Sequence, residues 1–427
     1  SVQLVEDHRV PWTTVSMGIR TGNVSDPADQ PGLASMVAEM VSEGTKSRTS
    51  KQIANEIDYI GGAISATGGS DFTYISASGL SQYNDRLFDL LADVFLNPSF
   101  PEDELKLKKT NKVQELTIQR GRPEFLVDER FAEVVFGRHP YAVVSPKPEN
   151  VEKITRAQLV QFHANHYLPN DAVLVVVGDF KKTDMKALIE KTFSSWKPGK
   201  SNEQSLAEFP KYKGKTIHLV DRPDSVQSCL KLGNLGIKRK DPDFYASQVL
   251  NQVLGGGAIS RLFLNLREKN GYTYGAYSQA AARKQPGFFS ADANVRTEVT
   301  GPALKEFLLE LNRVRTEKVP AKELSTAKTF MVGVFQLGLE SQGGLAQRLL
   351  EGQLHELPAD YLEKFGDNVM AVSEEDVQRV ANRIIDMDNL QICVVGDSAK
   401  IKADLENLGT LTIYDTTGAL VKKKEEA

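Results

Sequence analysis

Cysteine, histidine and tryptophan are scarce in this chain: two, six and two among 427 residues. Cys229 and Cys393 each sit in an apolar, strand-like run, which excludes a disulfide scaffold and any paired-cysteine metal or redox site. No stretch approaches ~18 uninterrupted apolar residues, so no membrane-spanning helix is expected. Charge of neither sign prevails, since 52 Lys+Arg stand against 56 Asp+Glu for a net −4. That leaves no global field to gather nucleic acid or anionic lipid. Nucleophile elbows, phosphate loops and dinucleotide-binding glycine patterns are missing as well. Gly255-Gly-Gly257 follows a helical pattern instead of a strand, the wrong setting for a phosphate. At ~150 residues per domain the length allows two or three domains.

What the chain does contain is a repeat. Ile154-Thr-Arg-Ala-Gln-Leu159 opens a segment closing on Val173-Leu-Val-Val-Val-Gly-Asp179, and Val372-Ser-Glu-Glu-Asp-Val377 opens another closing on Ile392-Cys-Val-Val-Gly-Asp397. The offset holds without a gap: 373 − 155 and 397 − 179 both equal 218. Thr155 and Ser373 fit as N-caps, an amphipathic helix follows each, and an apolar run of strand character ends each copy. Gly18 and Asp26-Pro27 likewise correspond to Gly233 and Asp241-Pro242, at an offset of 215. Two signals in the same order mean a tandem duplication. It places one domain at 1–197, a polar Pro/Gly-bearing linker at 198–213, and a second domain at 214–427.

Within each copy strands and helices come in groups, which predicts an α+β fold with helices packed on a largely antiparallel sheet. Apolar spacing predicts helices over 80–96 and 101–118 and strands over 72–77 and 288–295. Alternation from Val2 reads as a strand, so the chain is expected to begin inside its fold, with any targeting segment removed or left out. The charged run Val421 to Ala427 is expected to be a solvated end. His163 and His166 share a helix face, but their repeat counterparts, Ala381 and Ile384, point to a packing role.

Pro31-Gly-Leu-Ala-Ser-Met-Val-Ala-Glu-Met-Val-Ser-Glu-Gly-Thr45 resembles the zinc-site helix of the pitrilysin and mitochondrial processing peptidase family, the inverzincins, which carry H-x-x-E-H between similar flanks. Tyr59-Ile-Gly-Gly-Ala-Ile-Ser-Ala, Leu254-Gly-Gly-Gly-Ala-Ile-Ser-Arg-Leu-Phe263 and Leu266-Arg-Glu-Lys-Asn-Gly-Tyr-Thr-Tyr274 also look family-typical. The resemblance spans essentially the whole chain and implies a duplicated clamshell half.

The metal motif itself is degenerate. Ser35 stands for the first histidine, Ala38 for the glutamate and Glu39 for the second histidine. Ser35 is a poor zinc ligand, and Ala38 cannot activate a metal-bound water. Glu115 fits the family's third-ligand position, 76 residues after Glu39. Glu39 and Glu115 alone offer only oxygen donors, better suited to magnesium or calcium than to zinc; the plainer reading is two acids left on a former site. Arg267 and Tyr274, seven residues apart, match the pair with which the family binds substrate peptide near the scissile bond. The alternative for them is a local ion pair of Arg267 with Glu268 and a half-buried strand tyrosine.

The resemblance thus implies a non-catalytic, substrate-binding subunit of a heterodimeric zinc endopeptidase, itself binding no cofactor. Zinc is expected in a homologous partner with an intact H-x-x-E-H, and the isolated chain is expected to be inactive and open to self-association. Its other expected ligand is a peptide, with no nucleic acid and no membrane span. The alternative is a purely structural, core-type protein of the same fold. A bacterial periplasm or cell envelope is favoured over the cytoplasm.

Overall fold

The computed structural model describes residues 1–200 and 205–421. Part of the expected linker, 201–204, and the charged tail from 422 onward lie outside the described residues. The described chain divides into two compact units, each built on one sheet.

The first unit's sheet has strands β1 (Val2–Glu6), β2 (Trp12–Ile19), β3 (Ala63–Gly68), β4 (Thr73–Leu80) and β5 (Ala172–Gly178) in the order β1-β5-β2-β4-β3. Only β1 and β5 run parallel. The second has β6 (Thr216–Asp221), β7 (Gln227–Leu235), β8 (Thr273–Ala281), β9 (Phe288–Arg296), β10 (Gln391–Gly396) and β11 (Thr410–Tyr414) in the order β11-β6-β10-β7-β9-β8. There β6 is parallel to both β10 and β11 and the remaining pairs are antiparallel. This is the α+β architecture the pattern predicts.

Among the helices that carry the motif residues or cover the sheets are α1 (Leu33–Met40), α2 (Glu102–Arg120), α3 (Pro123–Phe136) and α4 (Phe244–Gly255); α5 (Ala321–Leu339) is the second copy's long helix, and α6 (Gln342–Leu354) follows it. The duplicated N-caps form as expected: the Thr155 and Ser373 hydroxyls accept from the backbone N–H of Gln158 and Asp376, which bond back in capping boxes. The helix expected from residue 80 starts at Asn84 instead, because Leu80 still pairs with Trp12 in the sheet and a short 3-10 turn, Ser81–Tyr83, comes next.

The compact units do not follow the sequence copies. The first comprises Ser1–Thr117, Ser145–Leu206 and Phe335–Glu363, and the second Ile118–Val144, Ala207–Val334 and Lys364–Ala427. Each sequence copy thus lends one helical segment to the other unit. In the first unit α6 covers the back of the sheet, where Ala346, Leu350 and Leu354 pack on Val173, Val175 and Val177. In the second, α3 lies against β7 and β10. These donated helices explain why β5 and β10 are buried at every residue and read as unbroken apolar runs. Burying Leu350 and Leu354 contributes about 1.5–3 kcal/mol each.

Candidate functional site

The degenerate motif lies on α1. Its start is fixed by the Asp26 carboxylate, which accepts backbone N–H groups of Gly32 and Ala34, both at 2.7 Å. Gly32, at φ 94°, occupies the left-handed turn that leads into the helix. Burial pushes the Asp26 carboxyl up to about 7, against the backbone donors that hold it down. Ser35, Ala38 and Glu39 fall on one face of α1, as an i, i+3, i+4 spacing requires. The Ser35 hydroxyl donates to Asn23 Oδ1 at 2.8 Å, and Ala38 is 1% exposed.

Glu39 is not left facing Glu115 alone. The Lys112 ammonium, on α2, lies 3.1 Å from Glu39 Oε1 and 3.2 Å from Glu115 Oε2. One turn away, Lys108 meets Glu43 at 2.7 Å. Burial alone would lower the Lys112 pKa, but Glu39 and Glu115 together outweigh it and raise it. Zinc–oxygen bonds are ~2.0–2.2 Å, and here a cation of the chain already bridges both carboxylates. Ser35 and Ala38 supply neither an imidazole nor a base. This donor set does not fit zinc. The two lysines were legible in the sequence, Lys112 three residues before Glu115, but only the fold shows which acids they meet.

His163 and His166 serve packing. His163 Nε2 bonds the Phe95 carbonyl at 2.8 Å among the rings of Phe95, Phe100 and Tyr167. Burial lowers its pKa to about 4. His166 packs on Phe162.

In the second unit, Arg267 lies in the last turn of the helical segment Phe263–Lys269. Its guanidinium lies over the Phe263 ring at 4.8 Å, with Nε 3.6 Å from Glu268. Tyr274 stands on the edge strand β8, where the pairing with β9 slips between Thr273 and Ala276. The Thr273 hydroxyl bonds the Asn294 carbonyl and the Gly275 N–H, stabilising this irregularity. Such a bulge re-aims side chains, and Tyr274 is 89% exposed.

Tyr274 borders a cleft of about 470 Å³ whose lining also includes Glu124, Asp128, Lys231, Asp292 and Asn294; Arg267 is not among the lining residues. Lys231 and Asp128 meet at 2.7 Å, and Lys231 faces Asp292 directly across β7 and β9. Burial raises the Asp292 pKa, with Lys231 opposing the shift and Asp128 adding to it. Glu124 accepts a hydrogen bond from Asn294 at 2.9 Å. Three carboxylates against one ammonium give the cleft a negative balance. Glu124 and Asp128, one turn apart on α3, escaped the sequence reading because they belong to the first copy.

Residues 1–142 match the family model described as insulinase, peptidase family M16. Residues 153–331 match the one described as peptidase M16 inactive domain. The chain belongs to the peptidase M16 family. A solved structure from Pseudomonas fluorescens, described as a peptidase M16 inactive domain, superposes with a TM-score of 0.87 at 28% identity, covering 93% of this chain and 95% of that one. A protease from Helicobacter pylori shares the fold, with a TM-score of 0.83 at 20% identity over 92% and 96% of the two chains. An uncharacterized zinc protease of Bacillus subtilis is 27% identical over 396 residues, 91% of this chain and 94% of its own. The inactive-domain match covers residues 153–331, whereas the motif positions Ser35, Ala38 and Glu39 lie in the part that matches the insulinase model. No helix among the described residues is long and apolar enough to cross a membrane.

Proposed function

We propose that this M16 chain is the non-catalytic, substrate-binding subunit of a two-chain zinc endopeptidase. The observation that carries the reading is the Lys112 ammonium bridging Glu39 and Glu115 beside Ala38, a motif site with neither metal-binding chemistry nor a general base. Zinc and the attacking water then come from a homologous partner with an intact H-x-x-E-H. This chain contributes the exposed Tyr274 hydroxyl, a donor for a peptide carbonyl or developing oxyanion, and Arg267, whose planar fork binds carbonyl or carboxylate oxygens. An extended peptide pairs with a sheet edge through its main chain, which keeps sequence selectivity loose. The acid-lined cleft beside Tyr274 favours a basic side chain at one position of that peptide.

The test is hydrolysis of a quenched fluorescent peptide by this chain, by an intact M16 partner, and by the two mixed. Activity that arises only on mixing, and falls with Arg267→Ala while the complex still elutes as one species, supports the reading. Hydrolysis by this chain alone, or no gain on mixing, overturns it. The local pairing of Arg267 with Glu268 favours a second reading, a core-type structural subunit. That reading expects a stable complex with another motif-free chain and no hydrolysis.

A further inference from the structure

Metal ligands drawn from two helices do more than chemistry: the ion ties the helices together. In this chain the corresponding tie is made of side chains. Glu39 and Glu43 lie four residues apart along α1 and the turn after it, and Lys112 and Lys108 lie four apart on α2. The rungs are Lys112–Glu39 at 3.1 Å and Lys108–Glu43 at 2.7 Å, running in opposite directions along the two segments. Glu115, one turn beyond Lys112 on the same helix, holds that ammonium from the other side at 3.2 Å. Every one of these side chains except Glu115 is less than a third exposed, so water screens the rungs only in part.

The second copy supplies an internal control. Helices α2 and α5 have 19 residues each and start 219 apart. At that offset Lys109 corresponds to Lys328, and the two do the same thing. Lys109 Nζ donates to the carbonyls of Glu152 and Ile154, and Lys328 Nζ to those of Met370 and Val372. The register is therefore right, and it aligns Lys108, Lys112 and Glu115 with Ala327, Met331 and Val334. The duplicated fold builds its second long helix without these lysine rungs; the ion pair it makes instead, Arg261 with Glu323 at 2.8 Å, lies near the helix start and leaves the positions of Lys112 and Glu115 apolar. The Lys112 rung accompanies the acids of the motif site.

We propose that Lys112 is a chain-borne substitute for the metal ion: a fixed cation that neutralises Glu39 and Glu115, ties α1 to α2, and bars divalent ions from the site. The inference concerns the first unit alone and stands whether or not the second binds peptide.

The test is thermal unfolding of the full chain and its variants, read by circular dichroism with EDTA or with millimolar Ca²⁺ or Mn²⁺. The unmodified chain is expected to keep its Tm in EDTA and in either ion. Lys112→Met is expected to lose about 2–4 °C and to regain part of it when Ca²⁺ or Mn²⁺ is added, whereas Lys112→Arg holds near the parent value. Lys112→Met combined with Glu39→Gln is expected to lose less than the two single losses added together, the signature of a coupled pair. A drop in the parent Tm with EDTA, equal stabilisation of parent and Lys112→Met by the ions, or additive losses in the double variant would each overturn the proposal.

Discussion

Asp128 and Lys231 meet at 2.7 Å although they come from different copies of the duplicated sequence. Asp128 is carried on α3, which the first copy lends to the second unit, and Lys231 sits on β7. Asp128 offsets the Lys231 ammonium, which leaves Glu124 and Asp292 to give the cleft beside Tyr274 its negative balance. Lys231 is 13% exposed; its ammonium pairs with Asp128 near the rings of Phe131 and Phe288, and Asp292 is its register partner across β7 and β9. The cleft's polarity is therefore a product of the segment exchange.

If that negative balance selects a basic peptide side chain, Asp128→Asn removes one of three lining carboxylates and frees Lys231 to repel the ligand. The affinity for a fluorescent peptide bearing one arginine is expected to fall about 10-fold, a loss of ~1.4 kcal/mol. Affinity for the same peptide with glutamine in that position should change little. Fluorescence anisotropy at fixed ionic strength measures both, and equal losses for the two peptides would dismiss the selectivity.

Tyr274, at 89% exposure, has little to lose structurally. Tyr274→Phe should leave Tm within about 1 °C of the parent, since exposed substitutions usually stay within ±0.5 kcal/mol. In the mixture with a catalytic partner the same change removes a donor to the peptide and is expected to lower turnover ~10-fold or more. Unchanged turnover would restrict Tyr274 to a surface role.

Both sites obey one rule of legibility. The repeat carried local signals faithfully: Thr155 and Ser373 cap their helices, and the apolar runs 173–177 and 392–395 form central strands. Those runs even announced their burial on both faces, since a strand with one wet face alternates. Which helix would cover them was not legible, because no local pattern tells a helix whether it packs on its own copy's sheet or the other's. The motif positions Ser35, Ala38, Glu39 and Glu115 could be aligned, yet their new partner Lys112 lies 73 residues from Glu39. Long-range pairing of charges is set by the three-dimensional register of two helices, which spacing within one helix does not encode.

His163 gives the fold a pH dependence of calculable sign. Burial lowers its pKa from 6.5 to about 4, so between those values the unfolded chain takes up a proton that the folded chain refuses. Its contribution to stability is fully present above pH 6.5 and is lost as the pH falls toward 4, by roughly 3 kcal/mol at most. His163→Gln keeps a donor for the Phe95 carbonyl and removes the titration. The drop in Tm between pH 7 and pH 4.5 should therefore be smaller in the variant, by up to about 6 °C. Parallel pH profiles for parent and variant would refute the assignment.

The segment exchange itself makes a prediction that the tandem repeat alone would miss. A chain cut after residue 200 contains a whole sequence copy and all five strands of the first sheet. It lacks α6, and with it Ala346, Leu350 and Leu354, which cover Val173, Val175 and Val177. The bare face would expose a contiguous apolar stripe, the kind of surface that drives association. Such a fragment is expected to aggregate or to bind a hydrophobic dye, and to lack a cooperative thermal transition. Within the full chain, Leu350→Ala tests the same contact without truncation. Leu350 is 3% exposed, and emptying its site is expected to cost about 2–5 kcal/mol, the loss falling on the first unit. Hydrogen exchange read by mass spectrometry would show faster exchange in β2 and β5 with β7 and β10 unchanged. A folded, monomeric fragment of residues 1–200 would show that α6 is dispensable, and would return the domain boundary to the edge of the sequence repeat.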